Sequence, residues 1–138
     1  MFRSIFRSLV TLSVIVLVAC GDDSASTPTT PSTPTVTDNF SGTLNPNGAR
    51  THPIVAAASG TVTATLTTLT PDSTLRIGLS LGTWNGSACQ VIVANDSATQ
   101  ASQVVGQITT VGGNFCVRLY DVGTLTREIS YDVSVVHP

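Results

Sequence analysis

Basic side chains are scarce in this sequence, which contains no lysine and only six arginines against eight acidic residues. Charged residues make up 10% of the chain, so Thr, Ser, Asn and Gln must supply most of its polar surface. A nucleic-acid-binding protein needs clustered basic groups to neutralise phosphates. The four arginines beyond residue 19 are instead far apart, at Arg50, Arg76, Arg118 and Arg127. The composition therefore excludes a nucleic-acid partner and favours an exported protein.

Residues suited to catalysis are equally few. The chain has two histidines and no Gly-x-Ser-x-Gly sequence, so a hydrolase triad has little to draw on. His52 precedes a proline and is predicted to be a partly exposed edge residue, and His137 is the next-to-last residue, where we expect a frayed terminus. Asp121 and Asp132 are the remaining acid-base pair, but Asp121 begins a turn sequence. The sequence therefore predicts a protein that is not an enzyme and needs no cofactor.

The N-terminal 19 residues have the pattern of an export signal. Arg3 and Arg7 are followed by an apolar run that is shorter than the roughly 20 residues of a membrane-spanning helix. The run ends in Leu-Val-Ala before Cys20 and Gly21, which resembles a bacterial lipobox and predicts acylation of Cys20, with attachment to a membrane through the acyl chains. An ordinary signal peptide, or a hydrophobic anchor with an incidental Cys20, is the alternative. Gly21 directly after the cysteine favours the outer membrane over the inner one.

Residues 20–37 begin with the lipidated cysteine and continue as a tether rich in Ser, Thr and Pro. Prolines recur at three-residue spacing, at Pro28, Pro31 and Pro34. A segment of this composition cannot form a core. Proline favours extended backbone, which gives the tether a maximal reach of roughly 50 Å.

Residues 38–138 change to short segments in which apolar and polar residues alternate, separated by Gly, Pro, Asn and Asp. This pattern is typical of an antiparallel β-sandwich or barrel. Eight strands are predicted: Asn39–Leu44, His52–Ala58, Thr61–Leu66, Thr74–Gly82, Cys89–Ala94, Ser102–Ile108, Asn114–Asp121 and Glu128–Val136. A type I turn is predicted at Thr70–Ser73. The predicted core consists of Val62, Leu66, Leu75, Ile77, Leu79, Val91, Val93, Phe115, Val117, Leu119, Ile129, Tyr131, Val133 and Val135.

Two cysteines remain in the predicted domain, Cys89 and Cys116. An exported protein lies in an oxidising compartment, so we expect a disulfide between them. Cys116 alternates with Phe115 and Val117, which places the bridge on the outer face of a sheet. A metal or redox site would need further ligands or a neighbouring second cysteine, so no metal site is expected.

Several short segments resemble the bacterial pre-peptidase C-terminal domain over nearly all of residues 38–138. They are Phe40–Leu44, Gly60–Val62, Leu75–Leu81, Gly112–Asp121 and Tyr131–Val135. The resemblance implies a jelly-roll β-sandwich of the kind found on secreted peptidases, where it is accessory and not catalytic. Related clostridial domains bind collagen and calcium through acids clustered near the start of the domain. Here Asp38 stands almost alone, so the resemblance transfers no calcium site.

Two features of the predicted domain suggest binding. Trp84 and Asn85 fall in a predicted loop, where an exposed tryptophan can stack on a sugar ring or anchor a protein partner; alternatively, Trp84 caps the core. The row Thr61, Thr63, Thr65 and Thr67 is similar to the flat hydroxyl surface of ice-binding proteins, although the strand propensity of threonine also explains it.

Taken together, these patterns predict a lipid-anchored, non-catalytic protein of the cell envelope. Its β-sandwich is interpreted as a binding or assembly module for an envelope protein or a polysaccharide. The alternatives are a carbohydrate- or matrix-binding accessory domain that uses the Trp84 loop, and, less favoured, an accessory domain of a secreted hydrolase or an enzyme.

Overall fold

The computed structural model describes residues 32–138, which form eight β-strands and no helix. The strands are β1 Val36–Leu44, β2 Ala49–Ala56, β3 Gly60–Thr70, β4 Ile77–Trp84, β5 Cys89–Ala98, β6 Gln103–Ile108, β7 Gly113–Tyr120 and β8 Ile129–His137. Each predicted strand overlaps one of them. The predicted signal peptide, Cys20 and most of the predicted tether lie outside the described residues. Within the described part of the chain, no helical segment qualifies as a membrane span.

The strands form two antiparallel four-stranded sheets, in the orders β1-β8-β3-β6 and β2-β7-β4-β5. The pairing is nested, because β1 pairs with β8, β2 with β7, β3 with β6 and β4 with β5. The chain is thus one long hairpin, with the β4–β5 connection at its tip, wrapped so that its strands are divided between two sheets. This is the jelly-roll arrangement, and the predicted jelly-roll-like sandwich is confirmed.

The core lies between the two sheets and is built by alternation along each strand. In β8, Ile129, Tyr131, Val133 and Val135 are buried, while the residues between them are more exposed. Strand β4 is an exception, because all six residues from Ile77 to Gly82 are buried. Its outward positions are small and covered by neighbouring groups, since a Cβ at Gly78 would collide with the ring of Tyr120.

Two of the boundaries that differ from the prediction have a clear structural cause. Strand β1 begins at Val36, two residues inside the predicted tether, because Val36 lies opposite His137 and extends the β1–β8 ladder. Strand β3 continues to Thr70, so the predicted turn at 70–73 is wrong in position. The hydrogen-bonded turn spans Asp72 to Leu75 instead, and the Asp72 carboxylate accepts hydrogen bonds from the backbone and the hydroxyl of Thr74.

The predicted disulfide is present between Cys89 on β5 and Cys116 on β7, with the Cα atoms 5.8 Å apart. Cys116 lies opposite Gly82 of the intervening strand β4, and Cys89 lies opposite Trp84. Because Val117 beside Cys116 faces the core, the bridge lies on the outer face of the second sheet, as predicted.

A bulge in β5 explains how the bridge spans β4. Leu81 pairs with Val93 and Gly82 with Val91, which leaves Ile92 as an extra residue. The backbone at Gln90 approaches so closely that a Cβ at Gly82 would collide with the Gln90 carbonyl. The bulge also reverses the alternation, so Val91 is 44% exposed and its predicted place in the core is wrong.

Removing the disulfide is expected to destabilise the fold without changing it. The bridge closes a loop with a sequence separation of 27 residues, and its loss returns chain entropy to the unfolded state. We expect Cys89→Ala/Cys116→Ala to lower the free energy of unfolding by about 3.5 kcal/mol at most, measured by urea denaturation of the full-length protein. A reductant should lower the wild-type midpoint similarly and leave the double variant unchanged. A wild-type midpoint that is insensitive to reductant would contradict this assignment.

Candidate binding surface

The outer face of the first sheet is composed almost entirely of uncharged polar side chains. We call it the hydroxyl face. It comprises the outward-facing positions of β1, β8, β3 and β6, which are seven threonines, three serines, two glutamines, one asparagine, two valines and one aspartate: Thr37, Asn39, Ser41, Thr43, Ser130, Asp132, Ser134, Val136, Thr61, Thr63, Thr65, Thr68, Thr70, Gln103, Val105 and Gln107. No aromatic residue and no arginine lies on it.

Strand register aligns these residues into rows that cross all four strands. One row contains both valines and is called the valine band: Thr37, Val136, Thr63 and Val105. The next row is Asn39, Ser134, Thr65 and Gln103. Directly opposite residues have Cβ atoms about 5 Å apart, so each row is a continuous strip of side chains.

A bulge changes the threonine row that the sequence suggested. The β3–β8 register shifts between Leu66 and Thr68, so Thr67 has no partner residue on β8, although it remains exposed. Thr68 and Thr70 continue the row in its place. The Thr67 hydroxyl donates to the backbone carbonyl of Asp132 at 3.1 Å. The first three members of the predicted row are in register with β6 or β8, whereas Thr67 is exposed but lies at the bulge, outside that register.

Side-chain hydrogen bonds order the β3–β6 side of the hydroxyl face. Gln103 Nε2 donates to Thr65 Oγ1 at 3.1 Å, and Gln107 Nε2 donates to Thr61 Oγ1 at 2.9 Å. In each pair the threonine hydroxyl hydrogen and the glutamine carbonyl oxygen still face solvent as a donor and an acceptor. The face therefore offers both kinds of hydrogen-bonding group.

Trp84 and Asn85 lie on the other sheet, at the tip of the β4–β5 hairpin. Trp84 is the last residue of β4 and is half-buried, and it is not among the residues packed against the core. Asn85 is exposed, and its Oδ1 accepts hydrogen bonds from the backbone of Ser87 and Ala88 at 3.0 and 2.8 Å. Asn85 thus closes the loop through its carbonyl oxygen, and Trp84 presents part of its ring beside it.

His52 belongs to an aromatic cluster on the edge strand β2. Its Nε2 is hydrogen-bonded to the Tyr131 hydroxyl at 2.8 Å, and its ring stacks on Phe40 at 4.7 Å between centroids. Burial, together with the positive charge of Arg50, lowers the pKa of His52, which favours the neutral imidazole. His52 is half-buried, so its prediction as a partly exposed edge residue is confirmed.

His137 is not in a frayed terminus. It is only 2% exposed, and its Nε2 lies 3.0 Å from Asp38 Oδ2. The expectation was wrong because the β1–β8 ladder extends to the Val36–His137 pair, and His137 continues the buried alternation of β8. Asp38 is the one acid near the start of the domain, and its carboxylate already has His137 as a partner. Among the described residues, no group of three His, Cys, Asp or Glu side chains is placed to hold a metal ion.

The two carboxylates considered for acid-base chemistry each have structural partners. Asp121 Oδ1 accepts hydrogen bonds from the backbone N–H groups of residues 123–125, and its Oδ2 accepts one from Asn47. Burial alone would raise the pKa of Asp121, but these four donors hold it below its usual value. A general acid needs a raised pKa. Asp132 accepts a hydrogen bond from the Ser41 hydroxyl at 2.6 Å.

The best-formed depressions in the described part of the chain are small. A crevice of about 40 Å³ lies between β5 and β6, lined by Val62, Ile92, Ile108 and Phe115 among others. A second, of about 240 Å³, lies between Leu75, Leu125 and Arg127. Small-molecule sites usually occupy roughly 300–1,000 Å³. The hydroxyl face is therefore a better candidate for binding than either depression.

Comparisons with known proteins support the fold alone. No family model matches the chain, and no curated protein matches it. Among solved structures, the chain is similar to PliG of Aeromonas hydrophila, a periplasmic lysozyme inhibitor of g-type lysozyme, with 16% identity and a TM-score of 0.50 over 73% of this chain and 84% of that chain. The resemblance to the pre-peptidase C-terminal domain stays a prediction.

Replacing Asp121 is expected to weaken the contact between the β1–β2 and β7–β8 loops. Because the pKa of Asp121 is lowered in the folded protein, its carboxylate stabilises the fold above the unfolded pKa of about 3.9, and this contribution is lost as the pH falls further. We expect Asp121→Ala to lower the free energy of unfolding by about 1–2 kcal/mol at pH 7, and the difference from wild type to shrink towards pH 3.

The matched control is Asp72→Ala, because Asp72 accepts hydrogen bonds only within its own turn. It should cost less than Asp121→Ala in urea denaturation at both pH values. A difference between wild type and Asp121→Ala that grows as the pH falls would rule out the loop-anchoring role.

Proposed function

We propose that the protein is an exported, lipid-anchored, non-catalytic binding module of the cell envelope, and that the hydroxyl face is its binding surface. The observation that carries the proposal is the composition of that face. Hydroxyl and amide side chains occupy all but three outward positions on four adjacent strands, and Asp132 is the only charged residue among them.

The physical properties of the hydroxyl face suit recognition. Threonine is β-branched and has few rotamers, so little side-chain entropy is lost when a ligand orders it. Neutral hydroxyls and amides are also less costly to remove from water than charged groups. A face on a paired sheet therefore presents a preorganised array of donors and acceptors.

The ionisable residues support binding over catalysis. His52 contacts two aromatic rings, His137 contacts Asp38, and the Asp121 carboxylate is occupied by backbone N–H groups. None of these contacts brings a histidine, an acid and a nucleophile together in the arrangement of a hydrolase triad. The proposal of a non-catalytic role rests on this distribution.

The disulfide and the N-terminal sequence support export and anchoring. Structural disulfides persist in oxidising compartments such as the periplasm. Acylation of Cys20 with two or more chains would hold the protein stably on a membrane. The predicted tether leads directly into β1, whose outward residues belong to the hydroxyl face.

The loop at Trp84 is a second candidate surface, for a carbohydrate or a protein partner. It is favoured by the half-exposed ring of the chain's single tryptophan at the hairpin tip. Because Gly82 and Trp84 alternate with the core-facing Leu81, Trp84 faces outward from the second sheet. The two candidate surfaces therefore belong to different sheets and can be altered independently.

Retention of the full-length protein on isolated envelope fragments tests the proposal. The fragments are washed free of native protein, and binding is measured by co-sedimentation in mild detergent. We expect Thr65→Val/Thr68→Val to weaken retention about thirtyfold, because each of the two lost hydrogen bonds contributes about 1 kcal/mol. Valine keeps the shape and strand propensity of threonine, so the fold should be retained.

Thr51→Val is the matched control, because it is the same threonine-to-valine substitution on the outer face of the second sheet. Retention that is unchanged by it supports the hydroxyl face. Loss of retention in Trp84→Ala but not in Thr65→Val/Thr68→Val would assign binding to the hairpin tip. Equal retention of all variants would refute both surfaces.

A further inference from the structure

The valine band gives the hydroxyl face an apolar strip near one end. Val105 and Val136 are 51% and 37% exposed, and Thr37 and Thr63 bring their methyl groups into the same row. With adjacent strands about 4.8 Å apart, the band is about 14 Å long from β1 to β6. It runs across the strands as an apolar strip within a polar surface.

Amide groups flank the valine band. Asn39 and Gln103 occupy the two ends of the row on one side, and Gln107 lies opposite Thr61 on the other. Gln103 and Gln107 are steadied by their bonds to threonine hydroxyls, which leaves each Oε1 as an acceptor. The surface thus combines an apolar strip with donors and acceptors along one of its sides and, on the other side, at β3 and β6.

This arrangement complements the chemistry of a sugar chain. A pyranose ring has apolar C–H groups on its faces and hydroxyls around its rim. The C–H face can lie on the valine and threonine methyls while the rim hydroxyls meet Asn39, Gln103 and Gln107. A chain that runs across the strands would repeat this contact ring by ring along the band.

Other partners fit the same surface less well. Anionic polymers need basic groups, and the hydroxyl face has none, with Asp132 adding a negative charge. Protein hot spots are enriched in Trp, Tyr and Arg and poor in Ser, Thr and Val, which is the opposite of this composition. Ice requires a regular lattice of identical groups, whereas the bulge at Thr67 interrupts the spacing of the β3 row.

We infer that the valine band and its flanking amides bind a neutral polysaccharide, with the sugar chain lying across β1, β8, β3 and β6. The inference rests on the proposed binding role of the hydroxyl face and names the ligand class for it. Affinity should be insensitive to salt, because no ion pair contributes to the contact.

Binding of the full-length protein to polysaccharide beads tests the inference. The probes are cellulose, chitin, amylose and dextran as neutral chains and polygalacturonate as an anionic chain, each at low salt and at 1 M NaCl. We expect retention on at least one neutral probe at both salt concentrations. Val105→Lys should weaken it at least about tenfold, because an ammonium group would be desolvated under an apolar ring face.

The matched control is Val55→Lys. Val55 is also an exposed valine on an edge strand, but on the outer face of the second sheet, so this change should leave retention unaltered. Circular dichroism of both variants establishes that they fold, and Val105→Asn provides a second, uncharged substitution that should also weaken binding.

Several outcomes would overturn the inference. Equal losses in Val105→Lys and Val55→Lys would remove the valine band as the site. Retention on polygalacturonate alone, or abolished by salt, would make the contact electrostatic, and ice shaping lost in Val105→Lys would make ice the ligand. If no neutral probe is retained while envelope binding still depends on Thr65 and Thr68, the ligand class is wrong and the proposed binding function stands.

Discussion

The pairing of β1 with β8 closes the domain, and the arrangement of both sheets depends on it. With β2 on β7, β3 on β6 and β4 on β5 nested inside this outermost pair, each sheet combines strands from both halves of the chain. The core therefore forms largely from contacts between residues that are distant in sequence. His137 secures the end of the outermost pair by contacting the Asp38 side chain across it. The same pairing aligns the outward residues of β1 and β8 with those of β3, which creates the hydroxyl face.

Alternation explains why the strands and most of the core could be predicted from the sequence. An apolar residue at every second position predicts a strand with one buried face, because side chains alternate between the two faces of a strand. The segment around Val133 shows this alternation without interruption. Bulges escape such reasoning, because one inserted residue reverses the faces without any change in composition. That is why Val91 was assigned to the core and why Thr67 was expected to stay in register with the other threonines. The disulfide could be predicted because only two cysteines remained in an oxidising compartment.

The candidate site was harder to predict than the fold, because it is a property of the register between strands. The threonines of β3 are visible as a row in the sequence, but Gln103, Ser134 and Asn39 are separated from it and from each other along the chain. Only the pairing of β3 with β6 and β8 places them side by side. A local sequence pattern can reveal the residues of one strand of a surface. The residues of the neighbouring strands are known only once the pairing of distant strands is known. Trp84 attracted attention because a lone aromatic is conspicuous in sequence, whereas a polar surface is conspicuous only once assembled.

A surface with little charge favours association between copies of the protein, and features of the sheet edges counteract this tendency. Charge repulsion normally keeps copies of a protein apart, and lipid anchoring would concentrate this protein in the plane of a membrane. Exposed edge strands are the usual route to unwanted pairing between copies. Here the edge strand β2 contains the exposed Pro53, which lacks an N–H donor, β5 is bulged at Ile92, and β6 is only six residues long. These features discourage pairing at three of the four edges, so that the hydroxyl face can carry a single charged residue and remain accessible to a ligand.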